Sequence, residues 1–317
     1  MFSFDAWGIK LRDHDFWLDA LRKVDFSFIS HGHSDHLKNH NHTIATPATL
    51  RFQAHRGKPK TTTALDFAEP FELGDYVIRL YPAGHILGSA MIRIERNGES
   101  LLYTGDFKLK PGLTAERIDI PKADVLIMES TFGSPEYQHK LSLAEIIHEM
   151  SRFVEESIYR GQTPVILAYT LGKSQEAMKI LGDLGWRVRA HSSIWQVAQI
   201  YQEFGIPFKN CAPWREAELF TGEVLIIPPH LCRKPGTLIR ISNPRTLFLT
   251  GWASAANRFH VRADMTLPLS DHADYNDLIR LVEKVNPATV YTTHGFDHFA
   301  HDLCDRGYRA KTLQPEK

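Results

Sequence analysis

Short apolar runs ending in polar clusters recur along the first third of the chain. Phe26 to Ile29 reads as a buried strand that stops where Ser30-His31-Gly32-His33-Ser34-Asp35-His36 begins. Just upstream, Phe16-Trp17-Leu18-Asp19 predicts a shorter strand joined to it by a turn. Thr46-Pro47 has the N-cap and first-position proline of a helix start, continued through Ala48 to His55. A strand over Tyr76 to Leu80 leads into His85. Met91 to Glu95 and Ser100 to Tyr103 flank Asn97-Gly98, a two-residue hairpin signal. Ala123 to Met128 predicts a further buried strand, running into Glu129-Ser130-Thr131-Phe132-Gly133.

Beyond that point the texture changes. Leu141 to Tyr159 has the 3.6-residue period of an amphipathic helix, and Pro164 to Ala168 predicts a strand closed by a Gly172-Lys173-Ser174 turn. Helices are expected over about Gln175 to Leu184 and Ile194 to Phe204, with strands at Glu223 to Ile227, Thr237 to Ile241 and Thr246 to Leu249. The chain then reads helix (Asn276 to Val285), strand (Thr289 to Thr292) and helix (Phe299 to Arg306). Strand–turn–helix alternation in the middle suggests an α/β unit inserted into a larger one.

Composition narrows the classes. At 317 residues and 43% hydrophobic content, there is material for one large or two modest cores. Lys+Arg and Asp+Glu are equal at 37 each, so any polyanion site has to be a local patch. The three cysteines (Cys211, Cys232, Cys304) are far apart and read as reduced thiols, which together with the absence of a signal-peptide plan predicts a cytoplasmic protein. No apolar run approaches membrane-span length, so no membrane partner is expected.

The chemistry concentrates in His31-Gly32-His33-Ser34-Asp35-His36. Three imidazoles and a carboxylate are costly to gather at a strand end unless a divalent cation joins them, and neutral His with ionised Asp suits zinc. A solvated polar loop is the competing reading; it explains one or two of these histidines but not all four positions together.

This run resembles the signature of the metallo-β-lactamase superfamily. The resemblance extends to His85 in Pro82-Ala83-Gly84-His85 and Asp106 in Tyr103-Thr104-Gly105-Asp106-Phe107. Three later residues resemble motifs A, B and C of the β-CASP nucleases: Glu129, His272 in Ser270-Asp271-His272-Ala273-Asp274, and His294 in Thr292-Thr293-His294-Gly295. Ala168-Tyr169-Thr170-Leu171-Gly172-Lys173 and Thr250-Gly251-Trp252 are similar to that branch too, most closely to bacterial ligase-associated DNA exonucleases. The likeness implies an α/β fold, the αββα sandwich of the superfamily, with the core at 1–137 and 263–317 and a small inserted cap at 138–262. Two departures stand out. The span from Glu129 to His272 is short beside full-length β-CASP enzymes, and Asp271 replaces the small residue that commonly precedes the motif B histidine in RNA-processing members.

The resemblance also implies roles. Two divalent ions are expected, zinc first and manganese as the alternative. His31, His33 and His85 would hold one and Asp35, His36 and His294 the other, with Asp106 bridging. Asp35, Asp106, Glu129 and His272 form the expected catalytic set, His272 protonating the leaving group with Glu129 behind it. A competing reading gives the second metal to His272 in place of His294. Asp19 reads as a carboxylate orienting a metal-bound histidine or water, against a plain turn residue. Lys173, Arg258 and Arg262 are candidates for substrate phosphate, each with a solvated-surface alternative. His40, His42, His298 and His301 are expected to be exposed. The expected activity is exonucleolytic attack on single-stranded DNA ends, in functional association with a DNA ligase or helicase. RNA processing is the first alternative, a thioesterase-like or lactonase-like hydrolase the second, and a non-catalytic scaffold the third.

Overall fold

Leu101 and Tyr103 point to one side of their strand and Leu102 to the other, and this pleat divides the interior of the molecule's first unit. Leu101, Tyr103, Ile127, Ile92 and Ile94 join Phe28, Ile44 and Leu18 in one buried cluster; Leu102, Leu126 and Met128 join Leu278, Leu281 and Val282 in another. The computed structural model describes residues 1–57, 60–215, 221–233, 241–253 and 262–315. The chain forms two compact units. The first comprises residues 1–111, 115–138 and 272–317, the second residues 112–114 and 139–271.

Two sheets face each other in the first unit. One runs, in chain order, through Phe2–Asp5, Gly8–Leu11, Trp17–Leu18, Phe26–Phe28, His42–Ala45 and Thr61–Ala64. The other runs in the order Ala310–Thr312, Thr289–Thr293, Val125–Glu129, Glu99–Tyr103, Ala90–Arg96, Tyr76–Pro82, Phe71–Leu73. The hairpin closes where expected, with Asn97 and Gly98 at φ 51° and 83°, the left-handed pair that a tight primed turn requires. Helix α1 (Pro47–Arg56) is capped by Thr46, whose hydroxyl accepts from the Thr49 amide at 3.2 Å. Its Gln53 amide reaches back to the Thr43 hydroxyl of the first sheet.

The second unit carries a six-stranded parallel sheet in the order Cys211–Pro213, Arg187–Ala190, Glu223–Ile227, Thr163–Leu167, Pro244–Leu249, Met265–Leu267. Its helices are α2 (Leu143–Tyr159), α3 (Lys173–Asp183) and α4 (Ser192–Glu203). Ser142 and Glu145 form a reciprocal capping box at the start of α2. The last strand, Met265–Leu267, belongs to this sheet, so the second unit extends to Asp271. The strand expected at Thr237 to Ile241 lies almost wholly outside the described residues.

Back in the first unit, α5 (Tyr275–Val285) and α6 (His298–Asp305) follow. The apolar face of α5, Leu278, Leu281 and Val282, covers the outer side of the second sheet with Phe299 and Leu303 from α6. This is the αββα sandwich. Among the described residues no helix is long and apolar enough to cross a membrane.

Candidate metal and catalytic site

Strand ends deliver the site, and the backbone is bent to do it. Phe26–Phe28 releases the chain into His31, His33 and His36. Glu99–Tyr103 releases it into Asp106, Val125–Glu129 ends on Glu129 itself, and Thr289–Thr293 is followed directly by His294. Asp19 and His294 are non-glycine residues at φ 46° and 52°, a left-handed conformation that costs free energy and persists where the surroundings impose it. Gly105, at φ 52°, leaves no room for a side chain: a Cβ there would lie 2.5 Å from that of Ser30.

The side chains so placed form two clusters that share one carboxylate. His31, His33, His85 and Asp106 offer ligand atoms all within 4.8 Å of one another, as do His36, Asp106 and His294. His31 Nε2 lies 3.4 Å from Asp106 Oδ2, and His36 Nε2 lies 3.6 Å from Asp106 Oδ1. Asp35 is the outlying member, exposed, with Oδ2 3.9 Å from His36 Nε2. Third comes the Glu129–His272 pair, joined Oε1 to Nδ1 at 2.9 Å. His272 also falls in a cluster with Asp106 and Glu129.

The donor set suits a cation. His31 Nε2 is completely buried and makes no hydrogen bond. Burial, then the charges of His36 and His85, push the His31 pKa well below its ordinary value, so this nitrogen presents a bare lone pair. Asp106 is pushed up by burial, with the neighbouring Glu129 charge adding to the effect against His36. Burial works against the charged form of His36, but Asp106 and Asp19 outweigh it and raise its pKa to about 10. Glu129 is raised by burial and lowered more by His272 and by hydrogen bonds, ending below its ordinary value as a carboxylate. Its oxygens also accept from the Phe107 amide at 3.1 Å and the Thr131 amide at 3.2 Å. A divalent ion would meet the bare His31 nitrogen and carboxylate oxygens here and would take the place of the proton that Asp106 and Asp19 favour on His36; imidazole nitrogen and carboxylate oxygen are ligands zinc takes.

Asp19 lies beneath the histidines, 5% exposed, with one oxygen 2.8 Å from His36 Nδ1. Other sequence expectations land differently. Lys173 is buried rather than surface-solvated, and its ammonium is ion-paired with Asp271 inside the second unit. That pairing also gives the unusual Asp271 an occupation. Arg262 is exposed, and Arg258 lies outside the described residues. His298 and His301 are exposed, but His40 is 1% exposed, because its Nδ1 takes the Val24 amide proton at 3.3 Å in the interior. Ser30, Tyr103 and Thr131 are site residues that sequence reasoning missed. Hydroxyls carry no ligand-like spacing, so no sequence signal marks them.

Comparison with known proteins decides the family. Residues 4–187 match the beta-lactamase superfamily domain, more than half of the chain. The chain belongs to that superfamily. Residues 259–313 of this beta-lactamase superfamily member match a second family, described as a Zn-dependent metallo-hydrolase RNA specificity domain. It is 40% identical, over 96% of its own length and 30% of the relative's, to a protein of Opitutus terrae named "Probable DNA ligase". It is 25% identical to an RNase J-like protein of Methanocaldococcus jannaschii, over 68% of this chain and 63% of that one. It therefore spans about a third of the first relative and under two thirds of the second. A solved protein of unknown function from Enterococcus faecalis shares the fold, with a TM-score of 0.64 at 14% identity, over 92% of this chain and 79% of that one. These relatives accord with the resemblance to the β-CASP nucleases.

Proposed function

We propose that this chain is a metal-dependent phosphodiesterase acting on nucleic acid and, in the finer reading, an exonuclease on single-stranded DNA ends. The observation that carries the proposal is the Glu129–His272 pair beside two His/Asp clusters that share Asp106. In this reading His31, His33 and His85 would hold one divalent ion and Asp35, His36 and His294 the other, with Asp106 shared by both clusters. When bound, such ions, zinc or manganese, would supply Lewis-acid chemistry for hydrolysis of a phosphodiester.

The protein's own groups do the rest. Breaking a phosphodiester expels a sugar alkoxide, a poor leaving group that needs a proton. His272 is oriented by Glu129 through Nδ1, which leaves Nε2 to carry that proton to the departing oxygen. A buried Glu129 held as carboxylate keeps the imidazole in that tautomer and favours its charged form. A thioester or lactone hydrolase releases a group that needs less help, so this pair has less to do in that reading.

The likeness to the Opitutus terrae protein supports DNA as substrate and a working association with a DNA ligase. The match of residues 259–313 to an RNA specificity domain supports the second reading, RNA processing. End-labelled single-stranded DNA and RNA of one sequence, digested side by side at equal salt, separate the two. Progressive loss of DNA from its ends is the expected result. Faster loss of RNA, or cuts within a circular single strand, overturns the DNA reading.

A further inference from the structure

One oxygen of Asp19 gathers three donors, and two of them are hydroxyls with no part in the metal clusters. Asp19 Oδ2 lies 2.6 Å from Ser30 Oγ, 2.8 Å from His36 Nδ1 and 2.9 Å from Tyr103 Oη. Its other oxygen accepts the Ser30 amide at 2.7 Å. All four residues are buried, Tyr103 at 1% and Ser30 at 1% exposure.

Proton counting then fixes two imidazoles. The carboxylate only accepts, so His36 Nδ1 must carry a proton towards it, and His36 Nε2 is left to face Asp106. Ser30 has a single hydroxyl proton. At 2.6 Å from a carboxylate oxygen that proton goes to Asp19, so Ser30 Oγ is an acceptor for its other neighbour, His31 Nδ1, at 2.9 Å. His31 Nδ1 is therefore protonated and its buried, unbonded Nε2 is the bare one. His31 belongs to one cluster and His36 to the other.

We infer that Ser30 and Tyr103 are positioning residues, through which one carboxylate, Asp19, sets the tautomer of one histidine in each of the two metal clusters. Ser30 acts on His31: it relays the carboxylate's demand for a proton to an imidazole that Asp19 does not touch. Tyr103 acts on His36: its phenol pins the oxygen that holds Nδ1. The inference rests on the proposed ligand roles of His31 and His36.

The test titrates metal-free protein with Co²⁺ and follows the d–d absorption of each site, assigned with His294→Ala, which lacks a ligand of the second. Ser30→Ala and Tyr103→Phe each delete one oxygen, and circular dichroism before metal addition reports folding. Ser30→Ala should weaken the His31/His33/His85 site about 10–100-fold and leave the other nearly intact, because a His31 tautomer protonated at Nε2 cannot ligate. Tyr103→Phe should weaken the His36/His294 site by a similar factor and shift its band, with little change at the first. Each variant serves as the folding control for the other, and either one alone decides its own residue. Two ions bound with unchanged site affinities in the variants, or both sites weakened equally by each, overturns the inference. Wild-type protein that binds fewer than two ions overturns the ligand assignment instead.

Discussion

His272 and His294 both stand near Asp106, and only chemistry separates them. His272 is held by Glu129 at 2.9 Å, a hydrogen-bonded acid–base pair, whereas His294 completes a cluster with His36 and Asp106. His272→Ala should therefore keep both metals and lose on the order of 10²–10⁴ in turnover of a polynucleotide. It should spare a nitrophenyl phosphodiester, whose leaving group departs without a proton. His294→Ala should lose the second metal and both activities. Metal analysis beside the two assays checks this, and exchanged phenotypes reverse the assignment. At His40 burial dominates. Its pKa is pushed down to about 4, by burial first, against an upward pull from Asp19, with smaller downward pushes from Lys38 and Lys23. The unfolded chain binds the His40 proton at about 6.5 and the folded one does not until about pH 4. Stability from this residue is thus complete above pH 6.5 and declines as pH falls to 4, by on the order of 2–3 kcal/mol. Urea midpoints measured from pH 7 to 4.5 should fall more steeply in wild type than in His40→Gln. Parallel slopes remove the effect.

The strand end carries the design at the next scale. A buried strand spends its alternating residues on two packed faces, and the first position past it is free to turn a polar side chain into the site. That is why the candidate ligands could be picked out from the letters. His31 to His36 follow Phe26–Phe28, Glu129 ends Val125–Glu129, His294 follows Thr289–Thr293, and each apolar run shows in the letters. The long elements were legible for the same reason, and Thr46, Pro47, Asn97 and Gly98 mark their turns by chemistry. Short strands were not. Thr61–Ala64 is three threonines and an alanine, largely exposed, and Met265–Leu267 and Ala310–Thr312 are three residues each, too short for any period to register. The Asp19 network was legible only in part, because the 2.9 Å contact from Tyr103 joins residues remote in sequence. Element ends also predict a fragile point. Gly295, one residue past His294, packs against the Ser130 carbonyl so tightly that a methyl group would overlap it. Gly295→Ala should push the two strand ends apart, cost at least ~2 kcal/mol and lower second-site occupancy first. Chemical denaturation and metal content measured together check it; a wild-type midpoint with full metal refutes the packing argument.

The molecule as a whole joins two units of different character. The second is a parallel sheet with its helices, resting on apolar clusters such as that of Val165, Leu167, Leu225 and Phe248. The first has its own apolar layers but also concentrates His31, His33, His36, His85, His294 and Asp106 at one edge of its strands. Gathering those groups costs desolvation, and the raised pKa of Asp106 and the lowered pKa of His31, both led by burial, record it. Divalent ions held by the clusters around Asp106 would relieve that cost in the first unit, since those clusters all draw on its residues. Binding to the native state adds RT ln(1 + [L]/Kd), about 2.7 kcal/mol per ion at a hundredfold excess over Kd. Calorimetry of the metal-loaded protein and of the chelator-treated protein should then differ in one transition. The transition of the residue 1–111, 115–138 and 272–317 unit should move down on metal removal, while that of residues 139–271 stays within a degree or two. Limited proteolysis should agree: without metal, cleavage should appear first in the loop from Ser30 to His40, with the fragment of the second unit persisting. Elemental analysis of the loaded sample should give about two ions per chain. A chelator that shifts both transitions equally, or neither, removes the metal from the stability of the fold, and a stoichiometry of one removes the second cluster from the site.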